Sequence, residues 1–358
     1  MARGSMSFDL AIIGGGPAGT AASITAARSG ARVLLLERGR FPRHKVCGEF
    51  ISPEGLALLA GLGLDDLVRR ARRIAHARIF AETSVAEAVL SPAAASISRY
   101  ELDHALWRLA ADAGADCRQQ VEARAIMGTG PFDLSTSVGE FSARAVVNAS
   151  GRWSNLRRSR LARSQREKWV GWKAHFREAD SAMSVDLYFF PGGYCGVQPL
   201  GNGQVNACAM VRAAAADSMD EVLALHPRLA ERSRAWQQVS ETVATSPLVF
   251  APPQAEESGV LFAGDAAGFI DPFVGDGISL ALHSGMMAAQ ALAGKRSVAE
   301  AAAIYRRRYE RELRPLFRNA EWLRRLTSIP RVLHRPVMAV LQSPRVTRFL
   351  VGKTRRVG

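Results

Sequence analysis

A glycine-rich turn near the N-terminus limits the folds that this chain can adopt. Gly14, Gly16 and Gly19 follow a short apolar strand at the spacing that a dinucleotide-binding turn requires. Gly14 permits a sharp turn, Gly16 lets the backbone approach a pyrophosphate, and Gly19 lets the next helix pack closely on the strand. That helix begins at Pro17 and Ala18, so its positive N-terminal end would face the anion.

A second apolar strand completes this unit. It runs from Arg32 to Glu37, and Glu37 lies 23 residues after Gly14. This is close to the roughly 20 residues expected for the carboxylate that binds the ribose hydroxyls. Arg38 follows directly and is a further candidate for cofactor contact. Strand, turn, helix, strand and acid therefore occur in the order of a βαβ unit from about Phe8 to Glu37.

Another glycine-containing segment lies far downstream. An apolar strand ends at Asp265, whose carboxylate can accept hydrogen bonds from a polyol. A helix starts after it, and the backbone amides at its positive end can stabilise negative charge on a ring carbonyl. The cofactor-contact candidates in this segment are Gly264, Asp265, Pro272, Gly275, Asp276, Gly277 and Ile278.

The composition is ordinary for a globular protein, with 48% hydrophobic and 22% charged residues. No apolar stretch approaches the roughly 20 residues of a membrane-spanning helix, and the N-terminus lacks the pattern of a signal peptide. The four cysteines show no paired spacing, so neither disulfides nor a zinc site is predicted. We therefore expect a cytoplasmic protein without a metal site.

Positive charge is concentrated towards the C-terminus. Residues 295–358 contain 17 Lys and Arg against four Glu, while the whole chain has a net charge of +14. Basic and apolar residues alternate at near-helical spacing between Arg306 and Leu326, as in an amphipathic helix. The simpler interpretation is a solvated helix that covers the domain, and the alternative is peripheral contact with a membrane or lipid. Nucleic acid is not expected as a partner, because no recognition motif accompanies the charge.

Together these segments resemble a superfamily of FAD-dependent enzymes over about residues 8–295. It contains aromatic hydroxylases of the p-hydroxybenzoate hydroxylase type, geranylgeranyl reductases and flavin-dependent halogenases. The resemblance implies that the first glycine turn and Glu37 hold the adenosine half of FAD, and that Asp265 holds its ribityl chain or pyrophosphate. Pro272 and Gly275 to Gly277 would line the isoalloxazine ring, and Arg99 would reach the phosphates or the ribityl chain.

The resemblance and the local patterns imply an α/β fold. We expect a Rossmann-like FAD-binding domain with an inserted mixed β-sheet substrate domain and a helical C-terminal segment. The expected ranges are 6–75, 98–165 and 255–295 for the discontinuous FAD-binding domain, 76–97 and 166–254 for the substrate domain, and 296–358 for the basic helical segment.

Departures from the motifs of this superfamily separate its chemistries. The halogenase pattern Trp-x-Trp-x-Ile-Pro is absent, which disfavours halogenation. The run from Lys45 through Cys47 and Gly48 resembles the Lys-x-Cys-Gly loop of the geranylgeranyl reductases, and adds Cys47 and Gly48 to the cofactor candidates. By the same resemblance, Gly196 and Gln198 replace a Trp and a Phe of the reductase motif Tyr-x-Trp-x-Phe-Pro. The loss of two large aromatics should open the pocket for a bulky or planar substrate.

Hydroxylation is the chemistry that we expect from the sequence. An NAD(P)H- and oxygen-dependent monooxygenase would hydroxylate an aromatic, quinoid or polyketide-like metabolite through a C(4a)-hydroperoxyflavin. NADPH or NADH would bind transiently, because only one G-x-G-x-x-G unit is present. Ser150 stands where many hydroxylases carry an Asp linked to NAD(P)H use, so the identity of the electron donor stays open.

The catalytic candidates are His44, Lys45, Cys47 and Tyr194, each with an ordinary structural role as its alternative. The competing function is an FAD reductase or dehydrogenase that acts on a prenyl or long-chain lipid, which the basic C-terminal segment supports. A flavin-binding protein without catalysis is a third possibility, disfavoured by the expected opening over the ring. In either enzyme the substrate is a small hydrophobic or aromatic molecule.

Overall fold

The computed structural model describes residues 7–81, 84–152, 156, 168–294 and 297–327. Two β-sheets dominate this part of the chain, and strands and helices are numbered along it. The first sheet contains β1 (Ser7–Ile13), β2 (Val33–Glu37), β6 (Asp116–Gln119), β7 (Ala123–Gly128), β8 (Phe132–Thr136), β9 (Gly139–Asn148), β16 (Glu256–Glu257) and β17 (Val260–Phe262). Its order is β16-β17-β9-β1-β2-β6, with the β7–β8 hairpin joined to β9.

The centre of the first sheet is parallel and buried. Strands β17, β9, β1, β2 and β6 pair in parallel, and α1 (Pro17–Arg28) connects β1 to β2. Gly14 adopts φ +106°, and a Cβ on Gly19 would lie 1.8 Å from the carbonyl oxygen of Gly14. Helix α1 can therefore approach the strand this closely only because residue 19 has no side chain.

The second sheet is mixed and mainly antiparallel. It contains β3 (Phe50–Ile51), β4 (Arg72–Ala81), β5 (Ser84–Ser96), β10 (Trp169–Arg177), β11 (Ser184–Phe190), β12 (Gly193–Gly201), β13 (Gln204–Arg212), β14 (Gln237–Gln238) and β15 (Val243–Thr245). Its order is β14-β10-β13-β12-β11-β4-β5-β3, with β15 paired to β10. Most of this sheet falls in the two ranges predicted for the substrate domain, and β3 joins it from the FAD-binding range by pairing with the end of β5.

The two faces of the second sheet have different partners because side chains alternate along each strand. One face buries Phe176, Tyr188 and Val197 against the short helices α5 (Met219–Ala224) and α6 (Pro227–Ser233). The opposite face carries Leu187 and Gly196, which line a cavity. The sheet is thus anchored on one side and free to bind a ligand on the other.

The remaining helices pack on the first sheet or its connections. They are α2 (Pro53–Gly61), α3 (Asp65–Arg70), α4 (Arg99–Asp112), α7 (Gly277–Leu292), α8 (Val298–Glu312) and α9 (Arg314–Thr327). Helix α7 crosses α1 closely, since a Cβ on Gly285 would lie 2.0 Å from the carbonyl oxygen of Ala18.

Helices α8 and α9 begin the segment predicted to be basic and helical. Tyr305 and Tyr309 are buried, and the Tyr305 hydroxyl donates to the carbonyl oxygen of Phe262 at 2.6 Å. Phe317 is also buried, while Arg318 is exposed. An apolar face thus packs on the first sheet at β17, and basic residues remain outside. Residues 296 and 328–358 of this segment lie outside the described residues. Within the described part of the chain, no helix is long and apolar enough to cross a membrane.

Candidate active site

A cavity of about 930 Å³ lies between the two sheets, within the range of roughly 300–1,000 Å³ that is typical of ligand sites. Its walls are the glycine turn after β1, the segment before α7, and one face of the second sheet. Among the residues predicted for the site, those that line it are Gly14, Gly16, Pro17, Ala18, Glu37, Arg38, His44, Lys45, Cys47, Gly48, Arg99, Tyr194, Asp265, Pro272, Gly275, Asp276, Gly277 and Ile278. Gly19 and Gly264 pack behind it, against Gly14 and Ala18.

Two cations converge on the glycine turn. A Cβ on Gly16 would lie 3.8 Å from Arg99 Nη2 and 3.9 Å from Lys45 Nζ. Arg99 donates to both oxygens of the buried Asp103 at 2.7 and 2.8 Å, and Lys45 lies 3.0 Å from the same carboxylate. Two positive charges and one negative charge leave a net positive charge beside the turn. Such a cradle fits a pyrophosphate.

Glu37 is held rigidly at the end of β2. Its Oε2 accepts the amide of Gly15 at 2.9 Å, and its Oε1 accepts the amide of Gly39 and Arg43 Nη2, each at 2.7 Å. Burial raises the pKa of this carboxyl, but Lys45, the Gly39 amide and Arg43 outweigh burial, so the net pKa is lowered. Glu37 is therefore an ionised acceptor at the cavity wall, as a ribose-binding carboxylate must be.

The segment before α7 presents mainly backbone to the cavity. Gly275 adopts φ +70°, and a Cβ there would lie 3.1 Å from the ring of Phe50, so this position favours glycine. Helix α7 begins at Gly277, and its positive end borders the cavity. Asp265 lines the cavity before this segment, where burial raises its pKa while nearby cations, led by Arg152, lower it.

The segment 43–49 is clamped between β13 and the start of α4. Asn206 on β13 donates its Nδ2 to the carbonyl oxygens of Cys47 at 3.1 Å and Gly48 at 2.8 Å. From the other side, the amide of Arg99 donates to Glu49 Oε1 at 2.8 Å. Glu49 adopts φ +60°, a conformation rare for a residue with a side chain and maintained here by tertiary contacts. These bonds hold Cys47 and Gly48 at the cavity wall.

A chain of titratable side chains lies behind this segment. Lys173 on β10 has no exposed side-chain surface, and its Nζ lies 3.1 Å from Glu49 Oε1 and 3.2 Å from His44 Nδ1. His175, two residues further along β10, places Nε2 2.7 Å from Glu49 Oε2. Because an ammonium group can only donate, His44 Nδ1 accepts from Lys173 and the His44 proton resides on Nε2.

Burial and the neighbouring charges keep the imidazole of His44 neutral. Burial, with the charges of Lys173 and His175, lowers the pKa of His44 below its usual 6.5, although Glu49 and Glu241 oppose the change. Burial also raises the pKa of Glu49, but its hydrogen bond from His175 and the charge of Lys173 prevail and lower it overall. His44 is therefore a neutral donor on the cavity wall, linked to a buried ion pair.

The other catalytic candidates are more constrained. Burial raises the pKa of Tyr194 well above its usual value, and Asp271, which accepts from its hydroxyl at 3.4 Å, adds to this effect. Tyr194 is therefore held as a neutral phenol. Lys45 is engaged by Asp103 beside the glycine turn. The Cys47 thiol accepts the amide of Glu49 at 3.3 Å.

Sequence reasoning did not assign four charged or titratable residues to the site, namely Glu49, Asp103, Lys173 and His175. One signal was available, because Lys173 lies between Trp172 and Ala174 in a predicted strand, and a lysine is seldom buried unless it is paired. The identity of its partner could not be deduced, since Glu49 is 124 residues away in the sequence.

The glycine turn with its cationic cradle, the ribose-type carboxylate and the helix start at Gly277 fit FAD, and with the covering sheet they define an FAD-dependent oxidoreductase. The chain belongs to the FAD binding domain family, whose profile matches residues 7–320. This confirms the predicted superfamily and cofactor, and the two sheets confirm the predicted α/β fold class.

Relatives among known proteins match most of the chain. Menaquinone reductase from Mycobacterium tuberculosis is 29% identical over 322 residues, which cover 80% of this chain and 76% of that protein. Digeranylgeranylglycerophospholipid reductase 2 from Methanopyrus kandleri is 27% identical over 328 residues, which cover 85% of this chain and 82% of that protein.

Solved structures share the fold. The flavin-dependent brominase Bmp2 superposes with a TM-score of 0.79 at 18% identity, covering 98% of this chain and 93% of that one. A geranylgeranyl bacteriochlorophyll reductase-like protein from Thermoplasma acidophilum gives a TM-score of 0.76 at 21% identity, covering 97% and 95%. At such identities the likeness establishes the fold and not the reaction.

Proposed function

We propose that this protein is an FAD-dependent reductase that saturates a carbon–carbon double bond in the isoprenoid chain of a lipid, with NADPH or NADH as the electron donor. This places the competing function of the sequence analysis ahead of hydroxylation. The observation that carries the proposal is an apolar strip on the second sheet that extends along the cavity wall.

The strip is built from small and aliphatic side chains on neighbouring strands. Ile79 faces Ala86 and Ala77 faces Ala88 across β4 and β5, and all four line the cavity. Leu187 on β11 lies beside Ile79 and continues the strip. An extended hydrocarbon chain can lie along such a surface and bury its length there. The two relatives support this assignment, because both are named as reductases of lipids that carry isoprenoid chains.

Bound FAD would supply the hydride. The protein's part is to hold the double bond in place and to keep water out of the cavity. Phe189, Tyr194 and Phe273 form an aromatic part of the wall, with ring centroids 5.5 to 6.1 Å apart. His44 is the candidate proton donor, since it lines the cavity and carries its proton on Nε2. As Nε2 gives up that proton, Nδ1 would take one from the ammonium of Lys173, so that no imidazolate forms. Because His44 is only half-buried, solvent can then restore the proton.

A membrane surface is the proposed source of such a lipid. The basic residues of the C-terminal segment would contact anionic headgroups, as the alternative interpretation of the sequence held. The exposed Arg307, Arg311 and Arg318 on α8 and α9 add positive charge to this side of the described structure.

Hydroxylation is the second candidate function. The absence of a side chain at Gly196 favours it, because the cavity wall there leaves room for a planar ring. In that case Tyr194 and the neighbouring aromatic rings would position the ring for oxygen transfer.

One experiment separates the two functions. The holoenzyme is reduced with NADPH, NADH or dithionite and incubated without oxygen with a polyprenyl naphthoquinone, and the lipid is analysed by mass spectrometry. Because dithionite and reduced flavin also convert the quinone ring to the quinol, the extracted lipid is reoxidised to the quinone before analysis. A quinone that keeps two additional hydrogen atoms in its isoprenoid chain supports the reductase. Reaction only after oxygen is admitted, with one oxygen atom gained per oxygen molecule consumed, would refute the reductase and support the hydroxylase. Reduced free FAD is the control.

A further inference from the structure

Gly196 has no backbone or packing reason to be glycine. A Cβ on Gly196 would meet its nearest atoms, in Leu187 and Cys208, at 3.4 and 3.7 Å, which are ordinary contacts. By contrast, a Cβ on Gly193 of the same strand would lie 2.2 Å from the carbonyl oxygen of Met210, so that position excludes a side chain. The absence of a side chain at Gly196 therefore enlarges the cavity, because Gly196 forms part of the cavity wall.

Gln198 lies two residues further along β12, on the same face. Its side chain lines the cavity and is 2% exposed, and its amide Nε2 has no hydrogen-bond partner among the residues that the structure describes. Buried amides are nearly always paired, so an orphaned one beside a cavity points to a ligand atom as its partner. The alternative partner within the chain is Asn206 Oδ1, which faces Gln198 across β12 and β13 and is likewise buried without a partner among the described residues. An N–H donor requires an acceptor oxygen or nitrogen.

Gly196 and Gln198 lie between two parts of the cavity wall that are predicted to contact the flavin. Tyr194 reaches Asp271 beside Pro272, and Asn206, which faces Gln198 across β12 and β13, reaches the carbonyl oxygens of Cys47 and Gly48. Gly196 and Gln198 therefore border the reactive part of the cavity and not its distant apolar end.

The sheet side of the cavity favours a neutral ligand. Within the described residues, no Lys or Arg of the second sheet lines the cavity. Among these described residues, Glu87 is the one charged side chain of the second sheet in the lining, and its Oε1 lies 2.7 Å from His76 Nδ1. Lys173 belongs to the same sheet but is buried against Glu49, outside the lining. A phosphate headgroup would find no counter-charge on this wall.

We propose that Gly196 and Gln198 form a headgroup subsite for a neutral carbonyl-bearing ring, so that the lipid is an isoprenoid quinone and not a phospholipid. The ring occupies the space that Gly196 leaves open, and Gln198 Nε2 donates to a ring carbonyl oxygen. The isoprenoid substituent then extends along the strip that contains Ala88. This inference rests on the proposed function for the identity of the tail and on Gly196 and Gln198 for the identity of the head.

The test is a binding measurement that needs no turnover. The oxidised holoenzyme is titrated with a prenylated 1,4-naphthoquinone, with the matched prenylated naphthalene that lacks both carbonyls, and with an acyclic isoprenoid alcohol of the same chain length. Binding is followed by the change in flavin absorbance. We expect the quinone to bind at least about tenfold more tightly than the naphthalene, as one hydrogen bond to a buried amide implies.

Three variants locate the effect. Gln198→Met keeps the length of the side chain and should reduce this preference about tenfold. Gly196→Leu should exclude both ring-bearing ligands and leave the affinity for the acyclic alcohol within about twofold. Ala88→Leu is the matched control at the tail end, and should weaken all three ligands alike. If Gln198→Met does not retain FAD, Gly196→Leu still tests the subsite.

Equal wild-type binding of quinone and naphthalene, or an unchanged preference in Gln198→Met, would overturn the proposal. So would a shift of the ligand-free flavin spectrum in Gln198→Met with the quinone preference intact, because Gln198 would then be a partner of the cofactor. If the three ligands bind as expected but the protein fails the anaerobic reduction test, the proposed function is refuted and the proposed subsite stands.

Discussion

Breaking the buried ion pair between Lys173 and Glu49 should destabilise this protein far more than breaking an exposed ion pair would. Both side chains have no exposed surface, and Nζ and Oε1 are 3.1 Å apart. In Lys173→Met the carboxylate of Glu49 would keep only His175 and the amide of Arg99 as partners. Loss of one member of a buried pair typically costs about 3–5 kcal/mol, because the other charge is left uncompensated.

The reverse change should have a comparable cost. Glu49→Gln would leave the ammonium of Lys173 buried, with His44 as a neutral partner. The double variant Lys173→Met/Glu49→Gln removes both charges, so we expect its cost to be about 2–3 kcal/mol smaller than the sum of the two single costs.

Urea unfolding of the three variants measures these free energies. FAD must be present at the same saturating concentration throughout, since a ligand that binds only the folded state adds to apparent stability. Two spectroscopic probes should give coincident transitions before a free energy is extracted. Arg70→Met is the matched control, because Arg70 pairs with Glu101 at 3.9 Å on the surface and should contribute nothing measurable.

The reasoning is refuted if Lys173→Met lowers the free energy of unfolding by less than about 1 kcal/mol, or if the two single costs simply add in the double variant. Either result would mean that the two charges do not compensate each other in the folded protein.

Three further predictions follow from local geometry. Gly19→Ala should abolish FAD binding or folding, because its Cβ would overlap the carbonyl oxygen of Gly14 at 1.8 Å; the flavin content of the purified protein reports this. Stability should fall as the pH drops below about 6.5, because the folded state lowers the pKa of His44 and the unfolded chain then binds more protons; pH-dependent unfolding of the wild type should show a steeper slope than that of His44→Gln, and equal slopes would contradict this. Ser297→Ala should cost about 1 kcal/mol, because Ser297 forms the capping box that starts α8; thermal unfolding against Ser297→Asp, which can still cap, isolates the lost hydrogen bond.

Local sequence patterns determined the FAD-binding half of this protein. The turn from Gly14 to Gly19, the acid at Glu37 and the helix start at Gly277 are short-range signals, in which neighbouring residues supply both the backbone conformation and the binding groups. Family membership confirms the predicted superfamily, and the parallel pairing of β1 and β2 follows the predicted βαβ unit. The individual site residues remain predictions, although most of them lie on the wall of one cavity.

Hydroxylation stays a prediction from motifs alone. The substitutions at Gly196 and Gln198 were visible in the sequence and indicated an open pocket. The apolar strip beside that opening is formed by β4, β5 and β11, which come from segments about 100 residues apart in the sequence. No local sequence pattern predicts that side chains from these strands share one face of a sheet.

Tertiary structure alone decided the polar part of the site. A period of two places Lys173 and His175 on one face of β10, but the sequence cannot say which loop meets that face. Folding brings Glu49 to them from the segment before β3 and holds it at φ +60°, against its local preference. A buried charge is stable only with its partner in place, and that partner is supplied by the pairing of distant segments.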